Sequence, residues 1–234
     1  MIKISNLHKT YVDGDTRVHA LRGIDMEIKQ GEFLSIAGPS GSGKSTLLNL
    51  IGCIDDIDAG EIIIQDKTVS SMSASELVAL RRANIGFIFQ TFNLIPVLSA
   101  YENVAMVMSL LNLPKDQIRQ ETMQLLSDVG LQGMEHRRPA KLSGGQQQRV
   151  AIARALIKKP LIVLADEPTA NLDSETGESV LKIMKQINES RGTTFLFSTH
   201  DPMVMDFADR LCNLHDGKII SDSMNKGKKG GDNA

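Results

Sequence analysis

The chain has 234 residues, of which 41% are hydrophobic and 23% are charged. These values fit one large α/β domain or two small globular domains. The formal net charge of −2 argues against nucleic acid or an anionic lipid surface as an electrostatic partner. Cys53 and Cys212 each lie in an apolar stretch, so we expect two buried, reduced thiols rather than a disulfide or a metal site.

The first half of the chain alternates predicted strands and helices. MIKISNLHKTY and HALRGIDMEI alternate apolar and polar residues, which predicts two strands around a turn at Asp13–Asp15. EFLSIAG is a buried strand that leads into a glycine-rich loop, and a helix is predicted from Lys44. Further strands are predicted in GEIIIQD and IGFIFQ, and a capping box of Ser73 and Glu76 starts the helix between them.

Residues 91–159 have a different, helical pattern. Ser99 and Glu102 form a second capping box, and an amphipathic helix follows Pro114. The helix after Ser143 closes this insertion. Strands return in LIVLAD and TTFLFST, and a last hairpin turns at Asp216–Gly217. No stretch approaches the roughly 18 apolar residues of a membrane span, and the first residues lack an apolar leader, so we expect action at a membrane only through a partner.

The segment GPSGSGKST lies between a predicted strand and a predicted helix and matches the phosphate-loop pattern G-x-x-x-x-G-K-[ST]. Glycines allow the backbone N–H groups to approach phosphate oxygens closely. Lys44 adds positive charge at the β- and γ-phosphates, and Ser45 is placed to bind Mg²⁺. The residues of this candidate loop are Gly38, Pro39, Ser40, Gly41, Ser42, Gly43, Lys44, Ser45 and Thr46.

The segment LIVLADEP is an apolar strand that ends in two acidic residues. Asp166 is expected at the carboxyl edge of the sheet, where it would hold Mg²⁺ through water. Glu167 is the candidate to orient or deprotonate the attacking water. An acidic pair can also be an ordinary turn, but the phosphate loop upstream favours the catalytic interpretation.

The segment LSGGQ, from Leu142, predicts a second anion site. Ser143 can cap the following helix and donate to a phosphate, and Gly144 and Gly145 let the backbone approach it. Gln146 completes the candidate nucleotide-binding set. The alternative is an ordinary serine-capped helix with a glycine turn.

These motifs, in this order, resemble the ATP-binding subunits of ABC transporters over nearly the whole chain. The resemblance implies that Tyr11 stacks on adenine and that Gln90 senses Mg²⁺ and water as a metal ligand. His200, in STHD, resembles the switch histidine, which acts with Lys44 and Glu167 in catalysis. NLDS, with Asp173, resembles the loop at the dimer contact.

The resemblance also implies ATP and Mg²⁺ as cofactors and a head-to-tail dimer that encloses two ATP molecules. LSGGQ resembles the signature sequence of the family, and each signature would face the phosphate loop of the other copy. The expected fold is α/β, a P-loop NTPase core with a mainly parallel sheet, an N-terminal antiparallel β subdomain and the inserted helical subdomain. The ATP-binding domain is expected to span residues 1–224, and the glycine- and lysine-rich tail 225–234 to be disordered.

Several functions fit these motifs. TFNLIPVLSAYENV and VLADEPTANLDS resemble the bacterial lipoprotein-releasing and macrolide-exporting branch, which implies a motor that drives a separate permease from the cytoplasmic face of the inner membrane. A regulatory ATPase that acts through a membrane partner without transport stays open. A soluble mechanical ATPase is disfavoured, because such family members usually carry two cassettes or a coiled-coil insertion. The signature argues against a small-molecule kinase.

The connection from Gln90 to Glu102 is unusually apolar, and Pro96 prevents one continuous helix through it. Its apolar side chains either pack under the helical insertion or form an exposed docking groove. The family resemblance implies that this region receives the membrane subunit. We expect Leu94 and Tyr101 to contribute to that contact.

Overall fold

The computed structural model describes residues 1–111 and 113–225. They form two compact units, Met1–Leu77 with the described part of Phe195–Ala234, and Val78–Thr194. The strands are β1 (Ile2–Asp13), β2 (Thr16–Ile28), β3 (Phe33–Ala37), β4 (Ala59–Ile64), β5 (Lys67–Thr68), β6 (Ile85–Ile88), β7 (Ile162–Asp166), β8 (Thr194–Thr199), β9 (Arg210–His215) and β10 (Lys218–Met224). The helices are α1 (Lys44–Ile51), α2 (Ala74–Asn84), α3 (Ala100–Ser109), α4 (Lys115–Asp128), α5 (Gly144–Leu156), α6 (Ser174–Arg191) and α7 (Pro202–Phe207).

The first unit contains an antiparallel sheet with the strand order β2-β1-β4-β5. The turn between β1 and β2 places Asp13 opposite Thr16, as the sequence predicted. Ile2 and Ile4 lie two residues apart and are both buried, as the apolar alternation in β1 predicts. The pairing with β2 is irregular between Ile4 and Leu7, and Leu7 is buried as well. The short strand β5 and helix α7 were not predicted, because neither segment carries a periodic pattern.

A second sheet in the same unit has the order β10-β9-β3-β8, in which β3 is parallel to both neighbours. All five residues of β3 are buried. Its core contains Phe33, Phe195 and Phe197, with ring centroids 4.6–5.9 Å apart. The antiparallel β9–β10 hairpin turns at Asp216–Gly217 as expected. The carboxyl ends of β3 and β8 lead to the phosphate loop and to His200.

The second unit contains the parallel strands β6 and β7. Helices α3, α4 and α5 lie between them in the chain, and the described residues of 91–159 include no strand. The capping box of Ser99 and Glu102 is present, and Pro114 is the N-cap of α4. The predicted α/β fold with an inserted helical subdomain is therefore confirmed.

No helix among the described residues is both long and apolar enough to span a lipid bilayer. Cys53 and Cys212 are both buried thiols outside any disulfide among the described residues, as expected. At the C-terminal end, the Asn225 side chain donates hydrogen bonds to the backbone oxygens of Met205 and Ala208, at 2.9 and 3.0 Å. The other residues of the expected disordered tail, 226–234, lie outside the described part of the chain.

Candidate functional site

The phosphate loop lies between β3 and α1, in the strand–loop–helix context that the motif requires. Glycine is required for different physical reasons at different positions of this loop. A Cβ on Gly38 would lie 2.1 Å from the backbone oxygen of Leu214, and one on Gly43 would lie 2.5 Å from that of Ala20. Both positions therefore need glycine because the loop packs against its own unit.

Gly41 differs from these two glycines. Its φ is +79°, and a Cβ there would meet nothing within 4 Å. The left-handed backbone alone favours glycine at this position. It also leaves bare backbone on the open side of the loop, where a phosphate can approach.

Lys44 is buried, with 7% of its surface exposed. Its ammonium group donates to the backbone oxygens of Gly38 and Pro39, at 2.8 and 2.9 Å. The positive charge is therefore fixed inside the loop. Ser42 N donates to Pro39 O at 3.2 Å, and the buried Ser42 Oγ has no hydrogen-bond partner among the described residues. Ser45 is exposed in the first turn of α1.

Tyr11 lies on β1, in the same unit as the phosphate loop, and 39% of its surface is exposed. Its hydroxyl donates to Asp55 Oδ2 at 2.6 Å. The exposed ring is available for stacking. His200 follows β8 in this unit and is also exposed.

The acidic pair belongs to the second unit. Asp166 is the last residue of β7, and Glu167 follows with a φ of +47°. A left-handed backbone is uncommon for a residue with a Cβ. It ends the extended conformation after Asp166, so Glu167 lies just outside β7. Both residues are half-buried.

Gln148 supports the turn that contains Glu167. It is fully buried on α5, and its Nε2 donates to Pro168 O at 2.6 Å. The signature helix therefore holds the backbone directly after the candidate base. This role of Gln148 was not predicted from the sequence, although a glutamine on the buried face of a helix is itself a signal, because buried amides need partners.

The connection after Gln90 is also held by α5. Phe92 and Asn93 both have positive φ, at 58° and 49°. Arg154 donates to the backbone oxygens of both residues, with 2.7 Å to Phe92 O. Gln90 is exposed, and its backbone oxygen accepts a hydrogen bond from Asn171 Nδ2 at 2.8 Å. Arg154 and Asn171 were likewise missed, because their partners are distant in the chain.

The signature forms the start of α5. The Ser143 side chain accepts from Gln146 N, and Gln146 Oε1 accepts from Ser143 N, so the predicted N-cap is a full capping box. A Cβ on Gly145 would lie 2.3 Å from Thr176 Cγ2, whereas one on Gly144 would make only ordinary contacts. Gly145 is therefore required by packing against α6.

Asp173 is the N-cap of α6 and accepts hydrogen bonds from Thr176 N and Thr176 Oγ1, at 2.9 and 2.7 Å. The bond from the backbone N–H and that from the hydroxyl lower the pKa of the Asp173 carboxyl. The segment NLDS thus starts a helix, and its cap fixes the threonine that contacts the signature. In this structure Asp173 has a structural role within its own chain.

A groove of about 200 Å³ opens in the second unit, beside the connection after Gln90. Phe87 and Phe89 stack in it with their centroids 5.7 Å apart. Burial, together with the charge of Arg81, lowers the pKa of Lys158 to about 8. None of the lining residues is acidic: they are Ile85, Gly86, Phe87, Phe89, Asn93, Val107, Arg154, Ala155 and Lys158.

The apolar residues of the connection itself are neither all packed nor all exposed. Phe92, Leu94, Ile95 and Leu98 are half-buried, and Val97 is 68% exposed. Asn103 is fully buried beneath them and bonds to Ile95 through both its amide oxygen and its amide nitrogen. The connection is therefore an ordered surface with apolar side chains.

Residues 21–170 match the sequence model of the ABC transporter family. An ABC transporter ATP-binding protein of Methanocaldococcus jannaschii is 45% identical over 223 residues, which cover 94% of this chain and 95% of that protein. The chain belongs to the ABC transporter family. The resemblance inferred from the motifs is thus confirmed.

Other comparisons agree with this assignment. The macrolide export ATP-binding/permease protein MacB of Escherichia coli is 46% identical over 223 residues, covering 95% of this chain but 34% of that protein. Two dimeric structures of the M. jannaschii cassette each have a TM-score of 0.89 and cover 97% of this chain, at 43% and 44% identity. One of them is a post-hydrolysis state bound to ADP and Pi. This chain is an ATP-binding and ATP-hydrolysing ABC subunit.

The close packing of the signature against α6 can be tested by measuring the free energy of unfolding of glycine variants. Gly145→Ala is expected to lower the free energy of unfolding by about 1–3 kcal/mol, because the new methyl overlaps Thr176. Gly144→Ala is the matched control and should be tolerated. Thr176→Ser removes the overlapping methyl and should restore the stability of Gly145→Ala. Urea unfolding measures all four proteins, and equal stability of the two alanine variants would contradict the packing role of Gly145.

Proposed function

We propose that the phosphate loop binds the β- and γ-phosphates of ATP through Lys44 and its backbone N–H groups. The observation that carries this proposal is the buried ammonium of Lys44, held by the backbone oxygens of Gly38 and Pro39. A phosphate oxygen that replaces these neutral acceptors gains a charge-assisted hydrogen bond. The N-terminus of α1 favours the same anion.

Mg²⁺ neutralises phosphate charge when it is bound together with ATP. Its proposed protein ligands are Ser45, Gln90 and Asp166, which offer hydroxyl, amide and carboxylate oxygens. This donor set fits the ion, because Mg²⁺ prefers oxygen, takes few protein carboxylates and keeps water and phosphate ligands. Ser45 is exposed in the first turn of α1, and Asp166 is half-buried at the end of β7.

Glu167 is the proposed general base that takes a proton from the attacking water. Its left-handed backbone turns the chain away from the direction of β7, so Glu167 need not share the metal-binding role proposed for Asp166. The Gln148–Pro168 hydrogen bond fixes the turn in which it lies. Lys44 and His200 are proposed to stabilise the negative charge that develops on the phosphate in the transition state.

Two copies of the chain are proposed to enclose two ATP molecules head to tail. The Ser143–Gln146 capping box and the bare Gly144 would then face the phosphate loop of the partner, with the positive end of α5 directed at the γ-phosphate. The dimeric structures of the M. jannaschii cassette support this assembly. Hydrolysis of ATP would allow the dimer to reopen.

The membrane partner is proposed to be a transmembrane permease subunit, which would hold this chain at the cytoplasmic face of the inner membrane. The relative MacB supports this, since its name joins an ATP-binding part and a permease in one protein. The docking surface is the connection from Gln90 to Glu102 with the adjoining groove. Its stacked aromatic rings and exposed Val97 provide an apolar contact. With such a partner, the protein would act in export or lipoprotein release.

Glu167→Gln tests the catalytic assignment. The amide keeps the shape of the side chain but cannot accept the proton, so turnover should fall by about 10²-fold or more. ATP binding should persist, and the variant should elute as a dimer with Mg-ATP on gel filtration. Glu178→Gln, the same change on the exposed face of α6, is the control and should hydrolyse ATP normally. Wild-type turnover in Glu167→Gln would refute the role of Glu167.

Leu94→Gln and Val97→Asn test the docking surface. They should abolish co-purification of the permease from detergent-solubilised membranes of the cells that produce both proteins. ATP binding by the isolated subunit should stay normal, because neither residue lies in a nucleotide motif. Ile220→Gln is the control, since Ile220 is 67% exposed on β10 and outside this surface. A permease that still co-purifies with both variants places the docking surface elsewhere.

A further inference from the structure

A charged cluster lies beneath the ring of Tyr11 in the first unit. Asp55 follows the end of α1, and its Oδ2 accepts a hydrogen bond from the Tyr11 hydroxyl at 2.6 Å. Because α1 begins at the phosphate loop, this bond connects the ring to the segment that follows the helix carrying the phosphate site.

Lys9 completes the cluster from the same strand as Tyr11. Its ammonium is 3.1 Å from Asp55 Oδ1 and 3.2 Å from Asp58 Oδ1. It also donates to Asp56 O at 2.6 Å and lies 5.4 Å from the centroid of the Tyr11 ring. The two oxygens of Asp55 are thus divided between Tyr11 and Lys9.

The charges in this cluster favour its observed arrangement at neutral pH. Burial disfavours the ion at both Lys9 and Asp55. At Lys9 the hydrogen bonds to Asp55 and Asp58 outweigh burial and raise the pKa. At Asp55 the hydrogen bonds from Tyr11 and Lys9 outweigh burial and lower the pKa. Burial and the carboxylate of Asp55 raise the pKa of Tyr11, which keeps the phenol protonated as a donor. The ammonium contacts the face of the ring through a cation–π interaction, which restricts the ring plane further.

We propose that Asp55 is a positioning residue for the nucleotide base. Together with Lys9, Asp55 fixes the plane of the Tyr11 ring, so that a purine stacks on a ring that is already ordered. The inference rests on the proposed function, in which Tyr11 stacks on adenine. A side chain that is ordered before binding loses no conformational freedom when the ligand arrives. Removal of the carboxylate should therefore weaken binding of the base and leave binding of the phosphates unaffected.

The test compares a non-hydrolysable ATP analogue, AMP-PNP, with tripolyphosphate, which also has three linked phosphates but has neither ribose nor base. Calorimetric titration with Mg²⁺ measures the affinity of each. Asp55→Ala and Tyr11→Phe should each lose about three- to tenfold in affinity for AMP-PNP, from the lost order of the ring. Affinity for tripolyphosphate should stay at the wild-type value in both.

Two further variants show whether the loss of AMP-PNP affinity comes from the Tyr11–Asp55 hydrogen bond. The double variant with Asp55→Ala and Tyr11→Phe should bind AMP-PNP no more weakly than the weaker single variant, because both changes remove the same hydrogen bond. Asp56→Ala removes a neighbouring exposed carboxylate and should bind both probes normally. Tyr11→Phe keeps the ring and all the charges, so it serves as the test even if Asp55→Ala fails to fold.

Three results would overturn the inference. Asp55→Ala could bind AMP-PNP as tightly as the wild type, it could lose affinity for both probes equally, or the two changes could add in the double variant. Tyr11→Ala separates this inference from the proposed function. Loss of AMP-PNP affinity in Tyr11→Ala without loss in Asp55→Ala overturns only the role of Asp55, whereas unchanged affinity in Tyr11→Ala overturns base stacking as well.

Discussion

The close packing of α5 is the constraint on which the catalytic segments of the second unit depend. The helix approaches α6 so closely that Gly145 has no room for a side chain beside Thr176. From this fixed position, Gln148 bonds to the turn after Glu167, and Arg154 bonds to the turn after Gln90. The signature is therefore more than an anion site, since its helix also sets the backbone next to the proposed base and metal ligand.

In the first unit, the phosphate loop is likewise held by close packing at glycine positions. Gly38 and Gly43 let the phosphate loop pack against β9 and β2, and this packing leaves Gly41 as the glycine with open space around it. The buried ammonium of Lys44 then bonds to the loop itself. Asp55, which follows the end of the helix that starts at this loop, accepts a hydrogen bond from Tyr11, so one continuous segment contributes to both the phosphate site and the support of the proposed base site.

The sequence predicted most of the fold because its signals were local. Alternation predicted β1 and β2, short apolar runs predicted buried strands such as β3 and β7, and the caps at Ser99 and Ser143 formed as expected. The motifs also pointed to the phosphate loop and the acidic pair as site residues, and their roles stay predictions. The supporting contacts of Gln148, Arg154 and Asp55 could not be predicted, because each joins residues far apart in the chain through common side chains. The requirement for glycine at position 145 could not be predicted either, because it depends on the contact with Thr176 on α6.

The central claim is that one chain's phosphate loop works with the signature of another, and mixing two inactive variants tests it most directly. Lys44→Ala disables the loop, and Ser143→Arg disables the signature. In the proposed dimer, the mixed pair retains one site with an intact loop and an intact signature. An equimolar mixture should recover about a quarter of the wild-type ATPase rate if pairing is random and the sites act independently. A mixture as inactive as its components would contradict the account.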